Sequence, residues 1–535
     1  MATNSAAYFS AEKPYMFRSS WWTWLFKLGL CLGLAWWSAQ DATDSSVKGD
    51  ATQNLKITHN LYFHGKFSLG GDKSDLKPTN FREPLPPLVT ALYLKVMLPD
   101  AKADDFENWH HGSATRLIKQ VNGIWAFLGM LAFLEVAMGL LRSRWLAWLA
   151  LVAAYLLFFG ANGATNTLYT ELPAASMMLL TTWSLLAATR APNSNMKSWL
   201  SGICLGALVL TKAVFLFAIP ALLLILVWTG YSRPNPTGRV QTVPEEFAAF
   251  GLRQAIWMLV GATIVVAPWM IRNKVALDTF EVSSGRGGYV LLERAYMDEM
   301  TDDEFRLGFA AYGPYLFREL VKGTSLEISN QDVMKGGRAQ RLNYGRSDFQ
   351  EEDRRSIALR RPDLSLSFYT RPAALYQIRL DAHRQDGTMH PELAADRDLK
   401  AEAKAIITRH PLAHLKVASL VIWAEFWAFS TQPHRSLSVL PIPEHYEITV
   451  INLITGLCLL GGFAYAWIGC NMRWAILAGL PGTLLILHGL LTQGLPRLNA
   501  PLVPFMLLSF FATLTSVIAR FTAKRTEMRP IVGGQ

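Results

Sequence analysis

Long runs of apolar residues alternate with polar segments along the chain, and their lengths predict a bundle of membrane-spanning helices. A helix needs about 20 apolar residues to cross the hydrocarbon core of a bilayer. Such runs lie at about 21–39, 121–141, 145–161, 168–189, 254–271, 449–468, 474–493 and 499–521. The run 198–230 is too long for one crossing and is interrupted at Thr211 and Lys212, so we predict two spans joined by a tight turn. Together these runs predict ten spans.

The basic residues of the short polar segments indicate the orientation, because cytoplasmic segments carry an excess of lysine and arginine. If the N-terminus is cytoplasmic, the basic residues of the short segments all lie on the cytoplasmic side. They are Lys13, Arg18, Arg142, Arg144, Arg190, Lys197, Arg233, Arg239, Arg253, Arg473, Lys524, Arg525 and Arg529. The stretch 416–431 would reverse the later part of this pattern if it crossed the bilayer. It is short, rich in tryptophan and contains Glu425, so we predict an interfacial or re-entrant segment rather than an eleventh span.

Two long polar segments, at about 40–120 and about 272–448, then face the outside. The first is expected to form juxtamembrane helices, and the second a small helical exoplasmic domain. We therefore predict an all-α polytopic membrane protein in three parts. They are an N-terminal transmembrane module (1–271), an outer domain (272–448), and a C-terminal transmembrane module with a cytoplasmic tail (449–535).

Composition agrees with a membrane protein and excludes other classes. Only 17% of the residues are charged, against roughly 25% in soluble domains, while 51% are hydrophobic. The net charge of +10 is spread over loops and termini, which favours membrane contacts over nucleic-acid binding. No cysteine lies in the long polar segments, so we expect neither structural disulfides nor a thiolate metal site.

Several basic residues lie at the outer ends of the spans, against the orientation pattern. They are Arg82, Lys212, Arg272 and Arg497. Each alone suits an interfacial anchor, but four on one face suit the phosphate of a lipid, because arginine binds phosphate oxygens with two parallel hydrogen bonds.

Acidic residues of the same face are candidates for catalysis. Asp50 precedes an amphipathic helical pattern, so it is either an N-cap or an ionised carboxylate able to act as a general base. Asp41 and Asp44 are alternatives in the same loop. Glu171 lies at the outer start of the fourth span, where a carboxylate is costly unless a cation or a wet cavity faces it.

The stretch NFREPLPPLVTALYLKV contains a further acid and a short apolar run. Leu88 to Leu98 is about half a membrane crossing. Prolines are tolerated in the first helical turn, so we predict a short helix on the outer surface. Arg82 would then contact a phosphate, and Glu83 would either orient Arg82 or act as a second acid beside Asp50.

Histidines of the first outer loop raise the question of a metal. His59 and His64 are five positions apart, and His110 and His111 are adjacent. Neither spacing is typical of a metal site, so no metal ligand is assigned, although a divalent cation is an alternative to the basic residues at the leaving phosphate.

Seven stretches, in order and topology, resemble the bacterial GT-C glycosyltransferases of the protein-mannosyltransferase and aminoarabinose-transferase type. They are GDATQNLKITHNLYFHGKFSL, FREPLPPLVTALYL, LYTELPAASMMLLTTWSLL, SGICLGALVLTKAVFLFAIPALL, APWMIRNKVALDTFEVSSGRGGYVL, AKAIITRHPLAHLKVASLVIWAEFW and PRLNAPLVPFMLLSF. The resemblance runs from about residue 20 to residue 520, nearly the whole chain, although no single motif is specific.

This resemblance implies an integral membrane enzyme that transfers a sugar, with inversion, from a polyprenyl-phosphate donor to a glycolipid, polysaccharide or protein on the outer side of a bacterial cytoplasmic membrane. It also implies that Asp50 is the catalytic acid of the first loop, although Asn54 stands where many relatives have tyrosine, which leaves Asp44 open. Glu171 matches an acid that relatives keep. Lys212 stands where they more often have arginine.

Two rival functions use the same architecture. A transporter or lipid flippase would be expected to show repeated halves and charges at mid-membrane, neither of which is evident in the sequence. A ligase that transfers a lipid-linked oligosaccharide differs only in the size of its donor.

Overall fold

The structure is a computed structural model that describes residues 21–70, 76–100, 106–141, 143–160, 162–231, 250–343, 350–427, 444–492 and 494–527. Within these ranges the regular structure is helical and contains no β-strand. The predicted all-α fold class is therefore confirmed.

The helices divide between two halves of the chain. The first half contains α1 (Trp21–Gln40), α2 (Asp50–His64), α3 (Leu85–Met97), α4 (Phe106–His111), α5 (Ser113–Lys119), α6 (Asn122–Leu140), α7 (Arg144–Ala154), α8 (Asn162–Thr165), α9 (Glu171–Thr189), α10 (Asn195–Thr211), α11 (Phe215–Tyr231) and α12 (Leu252–Leu277). The second half contains α13 (Gly287–Tyr296), α14 (Asp302–Tyr312), α15 (Tyr315–Leu320), α16 (Gln350–Ala358), α17 (Arg371–Gln385), α18 (Pro391–Arg409), α19 (Pro411–Phe426), α20 (Glu444–Ile468), α21 (Met472–Leu491) and α22 (Val503–Glu527). A π-helical turn, Tyr155–Phe159, extends α7, and a 3-10 helix, Pro496–Leu502, precedes α22.

The helices coincide with the predicted spans. Six helical segments of the described chain are long and apolar enough to cross a membrane, namely Ser113–Leu140, Glu171–Thr189, Leu252–Leu277, Tyr446–Ile468, Met472–Leu491 and Arg497–Thr522. The other four predicted spans coincide with α1, with α7 and its π-helical turn, with α10 and with α11. The run 198–230 forms two helices, because α10 ends at Thr211 and α11 begins at Phe215.

One hydrophobic core joins the apolar helices from both ends of the chain. Side chains of α6, α9, α11, α21 and α22 share this core. α10 packs closely along α12, where a Cβ atom on Gly202 would lie 2.0 Å from the Met258 carbonyl oxygen. Small residues allow this approach, as is common between membrane helices.

The polar segment between α1 and α6 packs as a layer of short helices around its own core. Leu55 and Tyr62 of α2, Leu94 of α3 and Trp109 of α4 are buried together. The predicted short helix is present as α3, which begins at Leu85 after Pro84 and carries prolines in its first turn. This layer presents the start of α2 to the segments that precede α3, α13 and α22.

The polar segment between α12 and α20 is also helical, as predicted. Its core includes Leu292 of α13, Leu307 of α14, Leu399 of α18 and Val421 of α19. α13 packs along α18, and α18 also packs against α17.

α19 contains most of the stretch 416–431, and it packs against α21 with Glu425 fully buried. The interfacial or re-entrant course of this stretch stays a prediction, and residues 428–431 lie outside the described residues. The same holds for basic residues used in the orientation argument, namely Lys13, Arg18, Arg142, Arg233, Arg239 and Arg529.

Candidate active site

Three arginines from distant parts of the chain surround the carboxylate of Asp50. Arg82 Nη2 and Arg286 Nη1 each lie 2.6 Å from Asp50 Oδ1. Arg497 Nη2 lies 3.0 Å from Asp50 Oδ2. Asp50 is the first residue of α2 and Gly49 occupies the N-cap position, so the N-cap interpretation of this aspartate is wrong. Its side chain faces the arginines instead.

The electrostatics of this cluster favour an ionised aspartate. Burial acts to raise the pKa of Asp50, but the guanidinium groups of Arg286 and Arg82 outweigh it and hold the pKa well below its usual range. Burial acts to lower the pKa of Arg286, and Asp50 outweighs that effect and raises it. Asp50 and Arg286 therefore stay charged over the whole physiological range.

Further polar groups complete the cluster. Gln53, one turn along α2, accepts a hydrogen bond from Arg82 Nε at 2.8 Å. Glu171, the first residue of α9, has Oε1 3.8 Å from Arg497 Nε, while its buried Oε2 has no hydrogen-bond partner among the residues that the structure describes. The Arg497 guanidinium lies over the ring of Tyr169 at 4.5 Å. Three guanidinium groups thus face two carboxylates, and the cluster has a formal excess of positive charge.

Hydrogen bonds between the segments before α3 and α13 explain why Arg82 and Arg286 lie close together. The Ser284 N–H donates to the Asn80 carbonyl at 3.0 Å, and Ser284 Oγ donates to Asn80 Oδ1 at 2.6 Å. These two bonds align the loop before α3 with the segment before α13. Asp396 of α18 accepts hydrogen bonds from the N–H groups of Gly288 and Tyr289, which fixes the first turn of α13 just beyond Arg286.

A buried polar network fixes the 3-10 helix that carries Arg497. Asn499 Nδ2 donates to Glu425 Oε2 at 2.8 Å, and Asn499 Oδ1 lies 2.6 Å from His488 Nδ1. All three side chains are buried, so each is costly to leave unpaired. Lys212 Nζ donates to the Leu498 carbonyl at 3.1 Å, which places this lysine beside the same 3-10 helix.

The structure brings together some of the predicted site residues and separates others. Asp50, Arg82, Arg497 and Glu171 form the cluster, with Lys212 next to it. Their roles stay predictions.

The other two predicted residues bond elsewhere. Arg272 donates to the Thr79 carbonyl at 2.8 Å and to Asn273 Oδ1 at 3.0 Å. Glu83 accepts from the Ala213 N–H at 3.2 Å. The polar partner of Arg82 beside Asp50 is therefore Gln53 rather than Glu83.

Sequence reasoning missed Arg286 and Gln53. Arg286 lies in SSGRGG directly before a helix, and a cation at a helix N-terminus is unfavourable unless an acid compensates for it. The position of Arg286 directly before a helix was therefore the one sign in the sequence that an acid lies beside it. Gln53 carried no signal beyond lying one turn after Asp50 on the same helix.

No protein-family profile and no curated protein matches the chain. Among solved structures, oligosaccharyltransferase AglB from Archaeoglobus fulgidus, in complex with an inhibitory peptide and a dolichol-phosphate, is 11% identical with a TM-score of 0.45 over 96% of this chain and 53% of that chain. ArnT from Cupriavidus metallidurans bound to undecaprenyl phosphate is 11% identical with a TM-score of 0.36 over 94% of this chain and 79% of that chain.

This chain spans about half the length of the AglB structures it matches. Both neighbours are GT-C glycosyltransferases, the family that the sequence resembles. The likeness concerns the arrangement of helices alone, because identity is only 11% in each case.

Proposed function

We propose that this multi-pass membrane protein is a GT-C glycosyltransferase that uses a polyprenyl-phosphate-linked sugar as donor. The observation that carries the proposal is the Asp50 carboxylate held by Arg82, Arg286 and Arg497 at the start of α2. A carboxylate able to accept a proton beside several phosphate-binding cations is what such a transfer needs. The dolichol-phosphate of the AglB structure and the undecaprenyl phosphate of the ArnT structure belong to the same chemical class of ligand.

In the proposed reaction, Asp50 accepts the proton of an acceptor hydroxyl or amine. The acceptor atom forms a bond to the anomeric carbon on the face opposite the phosphate, so the configuration is inverted. The bond between that carbon and the phosphate oxygen breaks, and its electron pair leaves with the lipid phosphate. The arginines, with Lys212, stabilise the charge that grows on the departing phosphate. Glu171 holds Arg497 and lines the same site.

The low pKa of Asp50 fits this scheme if the donor changes its surroundings. A carboxylate paired with three guanidinium groups is a weak base. A phosphate that takes over the hydrogen bonds of those arginines frees Asp50, and its pKa then rises towards that of a useful base. The donor would therefore activate the base by binding.

The proposed location and organisation follow the sequence expectations. The cluster faces the exterior or periplasmic side of a bacterial cytoplasmic membrane, between a transmembrane module at 1–271, an outer domain at 272–448 and a second transmembrane module at 449–535. The acceptor is a glycan, a glycolipid or a protein. Arg272 and Glu83 support the site indirectly. Arg272 bonds to the Thr79 carbonyl in the loop before α3, and Glu83 bonds to the Ala213 N–H just beyond the end of α10.

Substitution of Asp50 tests the proposal directly. Asp50→Asn should abolish sugar transfer in membranes supplied with radiolabelled polyprenyl-phosphate sugar. Asp44→Asn is the matched control, because Asp44 is an exposed acid of the same loop. Full activity of Asp50→Asn would contradict the proposal, and loss only in Asp44→Asn would move the base to Asp44. Movement of the lipid across the membrane without product would favour the flippase.

A further inference from the structure

Helix α4 carries three side chains that can each offer one ligand atom to a metal ion. Glu107, His110 and His111 place these atoms within 4.8 Å of one another. His110 Nδ1 lies 3.2 Å from His111 Nδ1, and His111 Nδ1 lies 3.3 Å from Glu107 Oε2. Two ligands of a tetrahedral zinc ion, each about 2.0–2.1 Å from the metal, lie about 3.3–3.4 Å apart. The two measured separations are close to that spacing.

The far nitrogen of His110 gives an independent indication. His110 Nε2 lies 2.8 Å from the Val47 carbonyl oxygen, which can only accept a hydrogen bond. Nε2 must therefore carry the hydrogen, and in the neutral ring Nδ1 presents a lone pair towards Glu107 and His111. In protein zinc sites, a histidine ligand usually donates its other ring N–H to a carboxylate, a backbone carbonyl or a water molecule.

The position of α4 is fixed by the protein before any metal binds. Trp109, between the ligands in sequence, is buried and packs against His59 and Tyr62 of α2. The Val47 N–H donates to the His110 carbonyl at 3.0 Å. The ligands therefore extend from a helix attached to the segment that leads into Asp50, and two of them, Glu107 and His111, are exposed to solvent.

We propose that Glu107, His110 and His111 form a zinc site on the first outer loop. Imidazole and carboxylate ligands suit Zn²⁺, and three protein ligands leave one tetrahedral position for water. Zinc bound here steadies α4 against the segment before Asp50. The site consists of residues that the proposed transfer does not use, and it does not depend on that activity.

Metal analysis of the full chain tests the site without any assay of transfer. The protein, purified with a tag that lacks histidine, is stripped with EDTA, equilibrated with ZnCl₂, desalted and measured by mass spectrometry for bound zinc. Calorimetry gives the affinity. The wild type and His64→Ala, which removes a histidine of α2 outside the cluster, should bind one zinc ion more per chain than His110→Ala/His111→Ala.

The single variants His111→Ala and Glu107→Gln keep the test independent of folding, because both side chains are exposed. Each should bind zinc at least about tenfold more weakly than wild type. Added zinc should raise the melting temperature of the wild type more than that of His111→Ala. Equal zinc content and equal affinity in wild type and His111→Ala, with both proteins folded, would overturn the proposal.

Discussion

Arg286 Nη1 lies 2.6 Å from Asp50 Oδ1, although the two residues are 236 positions apart in the chain. Each stands at the start of a helix, Asp50 at α2 and Arg286 at α13. A helix N-terminus favours an anion and disfavours a cation, so the pair compensates for the unfavourable position of Arg286. It also joins the polar segment between α1 and α6 to the polar segment that follows α12.

Arg286→Lys is expected to lower kcat/KM for the lipid-phosphate donor at least about tenfold, because lysine keeps the charge but cannot offer two parallel N–H groups. Initial rates of transfer at varied donor concentration measure this. Arg361→Lys is the control, since Arg361 pairs with Asp363 on the exposed surface. An unchanged kcat/KM in Arg286→Lys would remove Arg286 from the donor site.

The Asp50 cluster should give the protein a stability that depends on pH in the acid range. Burial acts to raise the pKa of Asp50, but its arginine partners lower it, so the folded-state pKa lies below the unfolded value. Such a group stabilises the fold above the unfolded pKa of about 3.9, and this contribution is lost as pH falls towards the folded pKa. The difference in melting temperature between wild type and Asp50→Asn should be constant from about pH 8 to pH 5 and shrink below about pH 4.

Glu293 should make the stability of the fold decrease as pH rises, which is the opposite of the effect of Asp50 and occurs at higher pH. Burial raises its pKa to about 8, and the Tyr289 hydroxyl and Arg286 lower it only in part. Between about pH 4.3 and this value, the folded state keeps a proton that the unfolded state has lost, so stability falls as pH rises, by up to about 1.4 kcal/mol per pH unit. The melting temperature of wild type should therefore fall between about pH 5 and pH 8 more steeply than that of Glu293→Gln. Parallel curves for Glu293→Gln and wild type would show that Glu293 is ionised in the fold.

Asn499→Ala should lower both stability and transfer. It removes the hydrogen bond that Asn499 donates to Glu425 Oε2, which costs about 1–3 kcal/mol, and it releases the 3-10 helix that carries Arg497. Asn452→Ala is the matched control, because Asn452 is another buried amide, bonded to the Phe426 carbonyl rather than to this helix. Melting temperature and kcat are compared in both. Similar loss of kcat at similar stability in the two variants would argue against a special role of Asn499 in positioning Arg497.

The Lys27–Glu135 ion pair should stabilise the contact of α1 with α6. Lys27 Nζ lies 2.5 Å from Glu135 Oε1, and both side chains are largely buried. Glu135→Leu alone leaves a buried lysine unpaired and should destabilise the protein by about 3–5 kcal/mol. The double variant Lys27→Met/Glu135→Leu removes both charges and should recover most of this loss, as measured by the melting temperature. A double variant less stable than Glu135→Leu would show that the pair is not coupled.

The sequence by itself determined where the helices form. Whether a segment spans a membrane depends on its length and apolar content, which are local properties, so ten helices lie where ten spans were predicted. The start of α2 at Asp50 and of α3 beside its prolines also followed from local preferences.

Only the tertiary structure decided which groups surround Asp50. Its three arginine partners are 32, 236 and 447 positions away in the chain. Their meeting depends on the contact of Asn80 with Ser284 and on the buried network around Glu425, and no local pattern encodes the geometry of such contacts. For this reason, the sequence predicted a basic outer face with an aspartate in it, whereas packing selected Arg286 and left Arg272 bonded to the backbone of another loop.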